Sequence, residues 1–156
     1  MAIIGVSRNE REFYISNHDP SKWVDPTAVN RKERSLEDAK QNGATVFEIG
    51  SVDADVYAML TDVASTVEQN TNGVVIRRNL AGKTIAFVRW GLRGWSNFLD
   101  ADGNEIKFET VKRFHGDKEY AIVSDESLNL LSEELLLELG QRIESRNTLT
   151  KTRAGN

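Results

Sequence analysis

A stretch rich in glycine and aromatic residues, 91–108, constrains the fold of this chain most strongly. Asp102-Gly103 supplies the backbone freedom that a tight hairpin needs. Apolar and charged side chains then alternate from Ile106 to Phe108, as in a half-buried strand. The stretch therefore predicts a turn, a short strand, a hairpin and a second strand, and it contains no evident catalytic group.

Alternation and turn signals elsewhere predict a central antiparallel β-meander of four to six short strands. The strands are expected at residues 12–16, 44–49, 74–78, 84–92, 105–114 and 119–123. Turns are expected at residues 80–83 and 115–118, where Gly82 and Gly116 interrupt the pattern. Together with the helices described next, this pattern indicates an α+β fold.

Two or three helices are expected to flank the meander. A mostly polar segment, 28–42, predicts a weak helix ended by Gly43, and Ser51 or Asp53 is placed to cap a second helix that breaks at residues 70–73. The C-terminal segment is leucine-rich, with Ser124 as a cap and a restart at residues 132–134. Its apolar residues recur every three or four positions, which predicts one buried helix face: Leu128, Leu131, Leu135, Leu139 and Ile143.

Length and composition limit the class of protein. A chain of 156 residues with a net charge of −4 and no cysteine predicts a single globular α+β domain over residues 1–150 and a flexible polar tail at 151–156. The pattern shows no signal peptide and no apolar run of the roughly 20 residues that a membrane span needs. Disulfides and thiol catalysis are excluded.

The acidic cluster from Asp100 to Glu105 invites comparison with a calcium loop. An EF-hand loop needs glycine at its sixth position and glutamate at its twelfth, whereas here Gly103 is the fourth residue and Val111 the twelfth. A plain hairpin turn is the better interpretation. Neither His18 nor His115 has signalled metal partners, and no catalytic motif occurs, so we expect no enzyme activity, no cofactor and no metal.

A basic run without acidic residues extends from 69 to 99. It contains aromatic residues among its charges, as single-strand nucleic-acid platforms do: Arg77, Arg78, Lys83, Arg89, Arg93, Trp90, Trp95 and Phe98. The alternative is that the rings form the core and the arginines border the sheet. Alternation in a strand would place Arg89 and Trp90 on opposite faces, so nucleic-acid binding is the less favoured interpretation.

Residues 91–98, with Gly94 and Trp95 at their centre, resemble small tail-assembly proteins of long-tailed bacteriophages. Residues 102–108, residues 123–126 ahead of the leucine-rich helix, and residues 147–150 continue the similarity. The segment 44–49, followed by Ser51 and a helix, is similar to the opening of such proteins.

The resemblance implies a non-enzymatic morphogenesis protein in the cytoplasm of an infected bacterium. Such a tail assembly chaperone holds the tape-measure protein, or another component such as the tail tube, in soluble form. We expect contact through surplus apolar surface on the final helix and through the aromatic cluster, with these candidate residues: Trp90, Trp95, Phe98, Leu130, Leu136 and Leu137. Self-association is the other expected use of that surface.

Two other functions stay open. The first is a virion structural protein, such as a head–tail connector or a minor tail subunit, which would remain in the finished particle. The second, less favoured, is a single-strand nucleic-acid-binding protein that uses the basic run.

Overall fold

The computed structural model describes residue 2 and residues 10–68 and 73–147. Helices and strands both contribute to it, which confirms the α+β class. In chain order the elements are β1 (Glu12–Tyr14), a 3-10 turn (Pro20–Lys22), α1 (Leu36–Gln41), β2 (Val46–Ile49), α2 (Ala54–Glu68), α3 (Gly73–Gly91), β3 (Leu92–Ser96), β4 (Thr110–His115), β5 (Lys118–Val123), α4 (Asp125–Leu128) and α5 (Glu133–Arg146).

The described strands form two antiparallel sheets and not one continuous meander. The first has the order β1-β2-β3, with Phe47 of β2 opposite Trp95 of β3. The second is the β4–β5 hairpin, whose two-residue turn begins with Gly116 at a φ of 62°. A positive φ at the first turn position suits glycine, so this predicted turn is confirmed.

The prediction of strands at 74–78 and 84–92 is wrong, and so is the turn at 80–83. Residues 74–91 belong to the single helix α3, with Gly82 inside it, and Leu92 is the first residue of β3. Phe87 and Val88 are adjacent and both fully buried, a pattern that alternation in a one-sided strand cannot produce. The separation of Arg89 from Trp90 across a sheet therefore does not apply.

Most of the other elements are confirmed, although the helix expected in the segment 28–42 spans only Leu36–Gln41. Ser124 and Ser132 cap α4 and α5 by accepting backbone hydrogen bonds, and Ser35 caps α1 in the same way. On the leucine-rich face Leu135 is partly buried, and the remaining residues are buried: Leu128, Leu131, Leu139 and Ile143. Residues 105–109 form no strand. Residues 70–72 of the predicted break and the tail from 148 lie outside the described residues, and the domain limits 1–150 stay a prediction.

The hairpin is attached to the start of α2 by Asp53. The Asp53 carboxylate accepts a hydrogen bond from the Tyr120 hydroxyl at 2.6 Å and one from the Lys118 ammonium at 2.7 Å. Burial and the hydrogen bond to Asp53 raise the pKa of Tyr120 to about 12. Trp90 of α3 packs against the Tyr120 ring, with centroids 5.4 Å apart. Among the described residues, no helix combines the length and apolar character that crossing a membrane requires.

Candidate functional site

An open cavity of about 370 Å³ lies between the start of α5, the segment that follows β3 and the loop that follows β1. Its volume falls at the lower end of the range of pockets that bind small molecules. Apolar residues form its floor and one wall: Phe47, Phe98, Leu99 and Leu135. Polar residues surround them, among them Ser16, His18, Asp19, Thr45, Asn97 and Ser132.

Three aromatic rings fix the floor of the cavity. Phe98 packs edge-to-face on Trp95 at 4.9 Å and on Phe47 at 5.8 Å between centroids. The indole N–H of Trp95 donates to the Ile106 carbonyl at 2.7 Å, so this buried ring has its polar group satisfied. Phe47 and Trp95 belong to the paired strands β2 and β3, and their ring contacts position Phe98, which follows β3.

Asn97 sets the course of the chain across the cavity. It has a φ of 55°, a left-handed conformation that asparagine tolerates better than most residues. Its side-chain N–H donates to the Gly43 carbonyl at 2.6 Å, and the backbone carbonyl of Asn97 accepts from the Thr45 hydroxyl at 2.8 Å. These bonds turn the chain so that Leu99 borders the cavity with 47% of its surface exposed.

Glu138 attaches the loop after β1 to α5. Its carboxylate accepts hydrogen bonds from the Tyr14 hydroxyl, from the Ser16 hydroxyl at 2.7 Å and from the Asn17 backbone N–H at 2.9 Å. Burial opposes ionisation of Glu138, but these three donors outweigh it and the pKa of Glu138 is lowered. Burial and the same contact raise the pKa of Tyr14.

We expect Glu138→Gln to lower the free energy of unfolding by about 1–2 kcal/mol at pH 7, because charge-assisted hydrogen bonds are lost at a partly exposed site. When the pKa of a carboxyl group is lower in the folded protein than in the unfolded one, the ionised group stabilises the fold at pH values above its unfolded-state pKa. This stabilisation is lost as the pH falls through the folded-state pKa. The difference between the two proteins in urea denaturation should therefore shrink in acid below pH of about 4. A difference that grows in acid would contradict this.

The polar groups around the cavity are engaged mainly with the protein itself. The Asp19 carboxylate accepts the backbone N–H groups of Ser21 and Thr45, each at 2.9 Å. The Ser16 hydroxyl donates to Glu138 and accepts from the His18 backbone N–H at 3.1 Å. This frame surrounds rings and leucines, an arrangement suited to receiving an apolar side chain.

The six predicted contact residues lie in different surroundings. Phe98 lines the cavity, whereas Trp95 packs on Phe98 without lining it, and Trp90 is buried against the hairpin. Leu136 packs partly against the core and Leu137 is half-buried. Leu130 is 48% exposed in the turn between α4 and α5. Their role as a partner surface stays a prediction, and both Trp90 and Trp95 are buried, so they offer a partner little accessible surface.

The described cationic side chains of the basic run have partners within the protein. Lys83 pairs with Glu144 at 2.9 Å, and Arg89 pairs with Asp125 at 2.6 Å. Arg93 donates to the Trp90 and Ser51 carbonyls, and burial lowers its pKa. The side chains of Arg77 and Arg78 lie outside the described residues.

The acidic cluster forms the predicted turn. Asp100 accepts the backbone N–H groups of Asp102 and Asn104, and Gly103 has a φ of 82°. An isolated bridge joins Leu99 to Glu105. In the part of the chain that the structure describes, no group of three or more histidine, cysteine, aspartate or glutamate residues could hold a metal ion.

Sequence analysis missed Phe47, Asn97, Leu99 and Leu135 as site residues. Phe47 was recognisable as a strand residue and Leu135 as a helix residue, but nothing in the sequence indicates that they face one cavity. No protein-family model, curated protein or solved structure matches this chain. The resemblance to tail-assembly proteins therefore stays an expectation from the sequence.

Proposed function

We propose that this protein binds another protein and performs no chemistry, as a tail assembly chaperone of a long-tailed bacteriophage. Its client is the tape-measure protein or another tail component, met in the cytoplasm of the infected bacterium. The supporting observation is that residues 91–108, which carry the resemblance, provide Phe98 and the exposed Leu99 at an apolar cavity. A chaperone needs such a surface to cover apolar segments of its client.

Phe47 is only 1% exposed, so binding is expected to place an apolar client side chain against the Phe98 ring, which Phe47 supports from within the core. Leu99 and Leu135 would enclose it from two sides. Burying a leucine-sized side chain contributes about 1.5–3 kcal/mol. Phe98 is already held by contacts with Phe47 and Trp95, so little ordering of its ring opposes this gain.

The test is co-expression with the tape-measure protein of the same phage. We expect the client to stay soluble with the natural protein and to precipitate with Leu99→Arg, because a charge at the cavity should weaken binding roughly tenfold or more. Val24→Arg is the matched control, since Val24 has a similar exposed fraction of 52% and does not line the cavity. It should preserve the effect.

Equal solubility of the client with natural protein, with Leu99→Arg and without either would contradict the chaperone proposal. Mass spectrometry of purified virions separates the main alternative. A chaperone should be absent from finished particles. Stoichiometric amounts there would favour a head–tail connector or minor tail subunit instead.

A further inference from the structure

The outer edge of β4 has no neighbouring strand in the described part of the chain. β4 pairs with β5 on one side, and the two form a two-stranded sheet. His115 and Lys118 close the two-residue turn, so Thr110, Lys112 and Phe114 direct their backbone N–H and C=O groups to the outer side. A free edge of this kind is a template for pairing with another strand.

The side chains along this edge include charges, which discourage pairing with an unmatched strand, but they also present apolar surface. Val111 is 44% exposed and Phe114 is 66% exposed, so both faces of the strand present apolar surface. Glu109 and Arg113 are exposed, and neither has an ion-pair partner within 4 Å among the described residues. Lys112, by contrast, pairs with Glu119 of the same hairpin at 3.6 Å.

The charges of Glu109 and Arg113 on one copy complement those on a second copy when the two strands pair in one particular register. If two copies pair antiparallel about a two-fold axis at Val111, Glu109 of each copy lies opposite Arg113 of the other. The same register sets Val111 against Val111 and pairs Thr110 with Lys112 through backbone bonds. Moving the axis to Lys112 or to Arg113 puts like charges directly opposite, which destabilises a sheet.

We propose that the protein forms a symmetric dimer through antiparallel pairing of β4 with β4 of a second copy, centred on Val111. The two hairpins then form one four-stranded sheet across the interface. A two-fold interface requires each surface to be its own complement, and an acid and a base on either side of Val111 meet that requirement. Glu109, directly before β4, and Arg113 within it are too far apart along the chain to pair with each other, about 13 Å.

Sedimentation equilibrium over a range of protein concentrations tests the proposal. We expect the natural protein to dimerise, and Glu109→Arg and Arg113→Glu each to weaken dimerisation roughly tenfold or more, because two attractive pairs become repulsive. The double variant with both changes should restore the dimer, since each pair regains opposite charges. Lys32→Glu, at an exposed site outside this edge, changes the net charge as Arg113→Glu does and should leave the dimer intact.

A second variant tests the backbone contact. Lys112→Pro removes an outward N–H and leaves the bonds within the hairpin, so it should abolish dimerisation while the circular dichroism spectrum stays unchanged. A natural protein that is monomeric at every concentration would overturn the proposal. So would a dimer that both single charge changes leave intact, or a double variant that stays monomeric. These outcomes do not depend on Leu99 or on a client.

Discussion

Leu139→Asp should lower the free energy of unfolding by about 3–5 kcal/mol, because it places a carboxylate in the core without a partner. Leu139 is fully buried on α5, where it belongs to the same core cluster as Phe87 of α3 and Ile143 one turn further on. A loss of this size is a large share of the stability of an ordinary domain. Urea denaturation followed by circular dichroism measures it.

The control is Leu130→Asp. Leu130 is about half exposed in the turn before α5, so its replacement should change the free energy of unfolding by no more than about 0.5 kcal/mol. Similar losses for the two variants would mean that the buried face of the C-terminal segment is assigned incorrectly.

The confirmed elements are those with a local cause. The β4–β5 turn follows from Gly116, and α5 follows from the Ser132 cap together with leucines at helical spacing. The strand β2 follows from a short run of β-branched and aromatic residues. In each case the residues that determine the structure are neighbours in sequence, so their pattern is sufficient.

Helix α3 could not be predicted in this way. Its valines and isoleucines favour strands, and the glycine-containing segment 80–83 has the composition of a turn. Tertiary contacts decide the outcome, since Phe87 and Val88 are both buried and Lys83 pairs with Glu144 of α5. The strand preference of neighbouring residues is overridden when residues distant in sequence pack against two or more sides of the segment.

The residues of the cavity also could not be predicted from their neighbours in the sequence. Phe98 was recognised as part of an aromatic cluster, but Leu99 reaches the cavity because Asn97 adopts a positive φ. That conformation is held by Gly43 and Thr45, which lie in a distant part of the sequence. No pattern within residues 91–108 indicates these partners.

Gly140→Ala should lower the free energy of unfolding by about 1–3 kcal/mol, although alanine is the better helix former. A β-carbon at position 140 would lie 2.4 Å from both the carbonyl oxygen and the γ-methyl of Thr84. The first of these atoms belongs to the backbone of α3, so α3 and α5 must move apart to make room. The core between them then loses packing contacts, which the midpoint of urea denaturation should report.

Gly82→Ala is the matched control, since Gly82 also lies inside a long helix but a β-carbon there would meet no atom within 4 Å. The change should raise the free energy of unfolding by up to about 1 kcal/mol, because alanine loses less backbone entropy in a helix than glycine does. Opposite signs at the two positions would separate the close approach of α3 and α5 from helix propensity. A gain in stability at both would contradict the close approach, because propensity alone would then account for the two results.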